Sequence, residues 1–322
     1  MYNFCTYFDK NYLLRGMTLF RSLSSFTSDF QFFVACLDDV TFDIIKRLNI
    51  PKLIPIPLIE LENKDTELLK AKQSRSLVEY YFTLSPILPL YILNNFKEVD
   101  VITYLDADLS FYSHPQPIFD EFANKSILIV EHRFPENLKN LEEKGRFNVQ
   151  CQIFRRDKNG IDCLNWWRMQ CLNWCYDRCE NGKYADQKYL DQFPVLFDDV
   201  VILNHKGAGL APWNWMQYDI KIKNNKVFID NEELIFYHFN SLKIIHSHLI
   251  SHGLSNFGKN MPYQLRRLLY SNYISVMKKT AHWIASKTKF KYNILHTDIR
   301  NKTSLIYDIL YAIKWRQLMF VS

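Results

Sequence analysis

Val101-Ile102-Thr103-Tyr104-Leu105-Asp106-Ala107-Asp108 is an apolar run that stops abruptly at two carboxylates two residues apart. A five-residue run of this kind, bounded by charge, reads as a strand buried on both faces. Upstream, Asn3–Phe8 ends at Asp9, Phe30–Leu37 ends at Asp38-Asp39, and Lys52–Ile56 ends at Pro57. Between them, Leu14, Met17, Leu19 and Leu23 show helical spacing, and a further helix is expected over Phe42–Leu48. Ser74–Phe96 reads as helix interrupted near Pro86 and Pro89, because an interior proline removes a hydrogen bond and clashes with the preceding turn. Apolar strands alternating with helices predict an α/β fold with a mostly parallel sheet covered on both faces. Ligands bind beyond the carboxyl ends of such strands, so Asp9, Asp38-Asp39 and Asp106/Asp108 are expected to face one crevice.

Further along, Ser126–Glu131 and Phe147–Arg155 read as strands and Cys163–Cys179 as a long aromatic helix. Lys206-Gly207-Ala208-Gly209 reads as a Gly-rich turn. Lys223-Asn224-Asn225-Lys226 reads as a hairpin turn before a strand at Leu234–His238. Beyond Pro262 two or three basic helices are expected. The division is therefore 1–261, with halves at 1–125 and 126–261, and an extension at 262–322.

The 322 residues are 48% hydrophobic and 16% aromatic, with only 8 glycines, which supports a sizeable core and leaves no flexible linker or repeat. No uncharged run reaches membrane-spanning length, and the N-terminus lacks the pattern of a secretion signal. Seven cysteines, an odd number, point to reduced thiols and a cytoplasmic setting. Cys171, Cys175 and Cys179 fall at i, i+4 and i+8, which on a helix is one face; core packing explains them better than metal binding.

Charge is unevenly placed. From Pro262 onward eleven Lys and Arg face two Asp, a net of +9 that leaves −3 for residues 1–261. Mixed with Trp283, Phe290, Tyr292, Trp315 and Phe320, that charge suits an anionic membrane surface better than nucleic acid; a solvated basic helix is the plainer alternative.

The chemistry concentrates at strand ends. Asp106 and Asp108 leave the sheet together and can share one hard divalent cation, Mg²⁺ or Mn²⁺, of the kind a nucleotide-diphosphate leaving group requires. His238, closing an apolar strand, is either a third metal group or a hydrogen-bonded core residue. His246, His248 and His252 form a rival cluster without completing ligands, and a polar loop is the better reading. Arg75, opening a helix beside Lys72 and Gln73, either reaches a diphosphate or is a solvated helix start. Asp186-Gln187 either orients or deprotonates an acceptor hydroxyl, or Asp186 caps a helix. Trp213-Asn214 can stack and bond a sugar ring, or Trp213 is buried and structural.

In order, these residues resemble the GT-A-fold glycosyltransferases, especially bacterial nucleotide-sugar transferases related to the retaining galactosyl- and glucosyltransferases and to glycogenin. The resemblance spans about residues 2–275. It rests on Phe4-Cys5-Thr6, Arg75-Ser76-Leu77 with Glu79–Thr83 and Pro86, and Tyr104–Asp108. It continues through Phe147-Asn148-Val149, Phe154-Arg155-Arg156, Ala185–Asp191, Gly207–Asn214 and Phe236–Phe239. It implies a Rossmann-like catalytic domain over 1–261, with nucleotide-binding and acceptor halves. Thr6 and Tyr7 would line the nucleotide pocket, Arg75 would face the donor, and Asp106, Asp108 and His238 would ligate Mn²⁺ or Mg²⁺. Asp186 and Gln187 would lie beside the sugar. The implied substrates are a nucleotide-diphosphate sugar, a UDP-hexose, and a glycan or lipid-linked glycan acceptor of bacterial surface polysaccharide. Two positions depart from the pattern: Gln150 stands where Gly often follows Asn-Val, and Ala185 where Gly often precedes Asp-Gln. A nucleotidyltransferase is disfavoured by the absence of glycine between Tyr7 and Gly16. A non-catalytic carbohydrate-binding protein leaves the strand-end carboxylates unexplained.

Overall fold

A computed structural model describes residues 1–258, 260–290 and 302–321 of the chain. The chain begins with β1 (Tyr2–Phe8), α1 (Leu13–Ser24), β2 (Phe30–Cys36), α2 (Asp39–Leu48) and β3 (Leu53–Pro57). Then come α3 (Leu58–Lys64), α4 (Thr66–Ser74), α5 (Leu77–Asn95), β4 (Val101–Leu105), β5 (Leu109–Phe111), α6 (Gln116–Phe122) and β6 (Ile127–Glu131). The middle of the chain holds β7 (Phe147–Arg155), α7 (Lys158–Asn173), α8 (Phe193–Leu196), β8 (Val200–Ile202) and β9 (Ala208–Leu210). Five short strands follow: β10 (Ile220–Lys223), β11 (Lys226–Ile229), β12 (Glu232–Glu233), β13 (Phe236–His238) and β14 (Lys243–His246). The last elements are β15 (Leu249–Ser251), α9 (Tyr263–Arg266), α10 (Asn272–Thr288), α11 (Lys302–Lys314) and β16 (Leu318–Phe320).

The main sheet has seven strands in the order β3-β2-β1-β4-β7-β6-β8. β1 to β4 run parallel, and β7 is antiparallel to both β4 and β6. This is the α/β, mostly parallel architecture read from the alternating pattern. Pro55 and Pro57 sit on β3, an edge strand, where a missing N–H breaks no ladder on the open side. Period-2 alternation divides each strand between two cores. Phe4 and Phe8, Phe32 and Val34, and Leu128 and Val130 face the side covered by α1, α2 and α10. Cys5, Phe33, Ala35, Tyr104, Ile127 and Ile129 face the side covered by α5 and α7. Gly16 lets α1 lie close on β1: a Cβ there would stand 2.1 Å from a Phe8 ring atom.

Four sequence expectations change. The helix expected to break at Pro86 and Pro89 is continuous as α5, opened by a Ser76/Glu79 capping box. Burial of Leu84, Ile87, Leu88, Ile92 and Leu93 against the sheet outweighs the two lost backbone bonds. The helix expected to reach Cys179 ends at Asn173, where Trp174 turns extended, so the three cysteines do not share a helix face. Cys171 and Cys175 are buried and Cys179 is exposed. Beyond it the chain turns at Asn181-Gly182, both at positive φ, between Glu180 and Lys183. Finally, Ala208–Leu210 is a strand pairing with β13 rather than part of a turn, and the tail ends in the strand β16. The predicted hairpin is present, with Asn224 and Asn225 both at positive φ between β10 and β11.

Residues 263–288 share the core of the sheet domain. Leu265, Leu269, Tyr270, Tyr273 and Met277 are buried with α1 and β13, and the Phe239 and Tyr273 rings stack at 3.9 Å between centroids. By contrast α11 leaves Ile306, Tyr307, Leu310 and Ile313 exposed. Lys291, Tyr292, Asp298 and Arg300 of the basic tail lie outside the described residues. Among the described residues no helix is long and apolar enough to cross a membrane.

Candidate metal and donor site

β4 brings Asp106 to the edge of the sheet, where its backbone N–H donates to Gln150 O on β7 at 3.0 Å. The chain turns back on itself, with Leu109 N–H donating to Asp106 O, and enters β5. There β13 pairs antiparallel with β5, setting His238 opposite Leu109, and Phe239 N–H donates to Asp108 O at 3.0 Å. This register delivers the imidazole to the acid pair across 130 residues of sequence. His238 Nε2 lies 3.1 Å from Asp108 Oδ1 and 3.9 Å from Asp106 Oδ2. One ligand atom from each of the three residues falls within 4.8 Å of the others. Two carboxylate oxygens with one imidazole nitrogen make a donor set that can hold a divalent cation, and the residues fit such an ion. His246, His248 and His252 form no comparable group among the described residues; buried His252 accepts from Leu254 N–H and faces Arg266.

Burial opposes charge on all three groups, and their mutual field decides the outcome. Asp106 is pushed up to about 6, by burial first and by Asp108, against the pull of His238. For Asp108 the attraction of His238, its hydrogen bond and nearby Arg15 outweigh burial and hold the carboxyl below its usual range. His238 correspondingly lies above its usual value despite burial. Tyr104 donates to Asp106 Oδ1 at 3.1 Å and packs its ring 5.7 Å from that of Tyr7.

Asp186 adjoins this group. It is 4% exposed, and its carboxyl is pushed up to about 7 by burial and by the field of Asp106, against a hydrogen bond with Ser85. Ser85 also meets Tyr7 Oη at 3.1 Å. Trp167 Nε1–H donates to Asp186 O at 2.9 Å, and the preceding Ala185 is held at φ +45°. Glycine, which the resemblance implies at that position, takes this left-handed conformation freely, whereas alanine costs about 1 kcal/mol of strain. Gln187 is anchored at both ends of its amide: Asn148 Nδ2 donates to Oε1 at 3.3 Å, and Nε2 donates to Lys144 O at 3.0 Å. Asn148 Nδ2 is also 2.7 Å from Nε2 of His132. Burial pushes that imidazole down to about 3, so it is neutral, with Nε2 accepting and Nδ1–H directed at Arg146 O.

With divalent cations removed by EDTA, Asp186→Asn is expected to gain stability over wild type as pH rises. The native carboxyl holds its proton up to about 7, whereas an ordinary aspartate releases it near 3.8. The Asp186 contribution to wild-type stability therefore falls between those values by about 1.4 kcal/mol per pH unit, and the variant lacks that contribution. Urea unfolding at pH 4.5, 6 and 7.5 measures the gap; a gap independent of pH would show that Asp186 titrates normally.

The remaining sequence candidates sit as follows. Thr6 is fully buried on β1, its hydroxyl without a partner among the described residues. Arg75 lies between α4 and α5; its guanidinium donates to Thr83 Oγ1 and, at 2.7 Å, to Leu172 O, and it covers the Tyr176 ring. Trp213 is buried, with Nε1–H donating to His132 O and its ring edge-to-face with His238 at 5.4 Å. Asn214 spends its whole amide on loop backbone, accepting from Ala211 N–H and donating to His132 O and Gly209 O. Asp9 and Asp38 close turns rather than join the acid pair: Asp9 accepts from Asn11 and Tyr12 N–H, and Asp38 caps α2 through Thr41 N–H. Residue spacing alone did not single out Ser85, Tyr104 or His132, whose roles depend on neighbours distant in the chain.

The model of glycosyl transferase family 8 matches residues 3–243. The chain belongs to this family. It is a glycosyltransferase, and the nucleotidyltransferase and non-catalytic readings are set aside. Two Bacillus subtilis (strain 168) proteins, both uncharacterized, are similar to this family 8 member. YfnF is 34% identical over 250 residues, covering 75% of this chain and 82% of its own. YfnD is 29% identical over 247 residues, covering 76% and 79%. Among solved structures, the galactosyltransferase LgtC in complex with donor and acceptor sugar analogs superposes with a TM-score of 0.53 at 14% identity. The match covers 83% of this family 8 chain and all of LgtC, and it supports the GT-A fold.

Proposed function

We propose that this glycosyltransferase moves a hexose from a UDP-sugar to a glycan or lipid-linked glycan acceptor in bacterial surface polysaccharide assembly. In this reading Asp106, Asp108 and His238 hold Mn²⁺ or Mg²⁺. The observation that carries it is the β5–β13 register that sets the imidazole against the acid pair. When bound, the cation neutralises charge developing on the diphosphate leaving group. Thr6 and Tyr7 line the nucleotide side, Arg75 supplies a cation toward the donor, and Trp213 and Asn214 shape the wall behind His238. Asp186 and Gln187 lie beside the sugar; a carboxyl titrating near 7 can exchange a proton with a hydroxyl at neutral pH.

A thermal-shift screen of nucleotide sugars with Mn²⁺ tests the reading. A donor at a hundred times its Kd stabilises the fold by about 2.7 kcal/mol. UDP-sugars are expected to raise Tm only with the cation present; no stabilisation by any nucleotide sugar would reject the proposal.

The exposed apolar residues of α11, beside Lys314 and Arg316, support peripheral attachment to an anionic membrane surface, on the cytoplasmic face. The protein is expected to co-sediment with liposomes containing phosphatidylglycerol and not with neutral ones. Equal recovery with both would remove this part of the proposal.

A further inference from the structure

We propose that Gln150, one of the two residues that depart from the family pattern, is the positioning residue for His238. The proposal rests on the reading of Asp106, Asp108 and His238 as metal ligands. Gln150 is fully buried near the middle of β7. Its main chain serves one ligand segment, since its carbonyl accepts from Asp106 N–H at 3.0 Å. Its side chain serves another, with Oε1 3.1 Å from His238 Nδ1. Its own N–H is in turn fixed by Asn148 Oδ1 at 2.8 Å. A single residue thus ties the acid turn to the imidazole.

The chemistry gives this contact a direction. An imidazole that offers its Nε2 lone pair to a cation must carry its proton on Nδ1. A neutral amide oxygen at Nδ1 accepts that proton's hydrogen bond, which selects the tautomer and fixes the ring plane. Glycine at position 150 provides neither. The space for the amide comes from Gly209. At φ +95° it has no Cβ, and one built there would stand 3.0 Å from Gln150 Nε2 and 3.0 Å from Val130 Cγ1. The Gly209 carbonyl is held by Asn214 Nδ2, so the loop carrying Trp213 and the glutamine side chain are set against each other.

The test is direct Mn²⁺ binding to the purified full-length chain, read from the free-ion EPR signal without substrate. Gln150→Met keeps length and volume but removes the acceptor, and is expected to weaken Mn²⁺ affinity about 10- to 100-fold. Gln150→Glu keeps an acceptor oxygen and is expected to bind at least as tightly as wild type. A space-filling role has the reverse signature: methionine tolerated, glutamate damaging. Should Gln150→Met fail to fold, Gln150→Asn retains the amide but falls one methylene short, and carries the same expectation. Asp108→Asn separates the two levels of the argument. If it binds Mn²⁺ like wild type, the metal assignment fails. If it loses binding while Gln150→Met or Gln150→Asn retains wild-type affinity, the role of Gln150 alone is overturned.

Discussion

Asp108→Asn is expected to lower Mn²⁺-dependent sugar transfer by about a thousandfold, close to 4 kcal/mol of transition-state stabilisation. Asp108 is the acid nearest the imidazole, 3.1 Å from His238 Nε2, and its carboxyl is held ionised by that neighbour. An amide oxygen in its place is neutral, and its partner Asp106 is pushed up to about 6 and is the weaker anion of the two. In EDTA the variant's Tm is expected to move by only a few degrees. Losing the pair with His238 destabilises, while removing one of two close buried carboxylates relieves repulsion on Asp106. Steady-state turnover against Mn²⁺ concentration, with the donor found in the screen, measures the loss. Full turnover in both Asp106→Asn and Asp108→Asn would remove the metal site from the mechanism.

The second large effect is on stability. Asn214→Ala is expected to cost on the order of 3–5 kcal/mol and about 10 °C in Tm. The Asn214 amide is wholly buried and makes three backbone bonds of 2.9–3.0 Å. His132 O keeps a second donor in Trp213 Nε1, but Ala211 N–H and Gly209 C=O lose the side-chain partner that ties the loop. Buried polar groups left open carry the desolvation cost without the bond. Because Trp213 sits against His238, Mn²⁺ affinity should fall with the loop's order. Calorimetric unfolding in EDTA decides the point. An unchanged Tm with a raised KM for the donor would assign Asn214 to the ligand instead.

These effects separate two kinds of legibility. The strand ending at Asp106 was readable because burial on both faces leaves a continuous apolar run and the carboxylates mark where it meets water. For the same reason β1, β2 and β7 lie within a residue or two of their expected limits. Helix limits were less readable where tertiary burial overrides local preference, as at Pro86 and Pro89. They also failed where the chain leaves the helix at Trp174, which breaks the periodic spacing of Cys171, Cys175 and Cys179.

The site divides in the same way. Residue types and short spacing alone determined that a carboxylate pair stands at a strand end and that Asp186-Gln187 is a polar pair in an aromatic-rich setting. Only the tertiary structure decided that His238 meets the pair, that Ser85 and Asp106 surround Asp186, and that Gln150 reaches His238. Strand pairing and burial set those relations between segments up to 130 residues apart, and a pKa is a property of the assembled surroundings. The acid pair is written in eight consecutive residues; the imidazole that joins it and the glutamine behind that imidazole are in place only once β13 lies against β5.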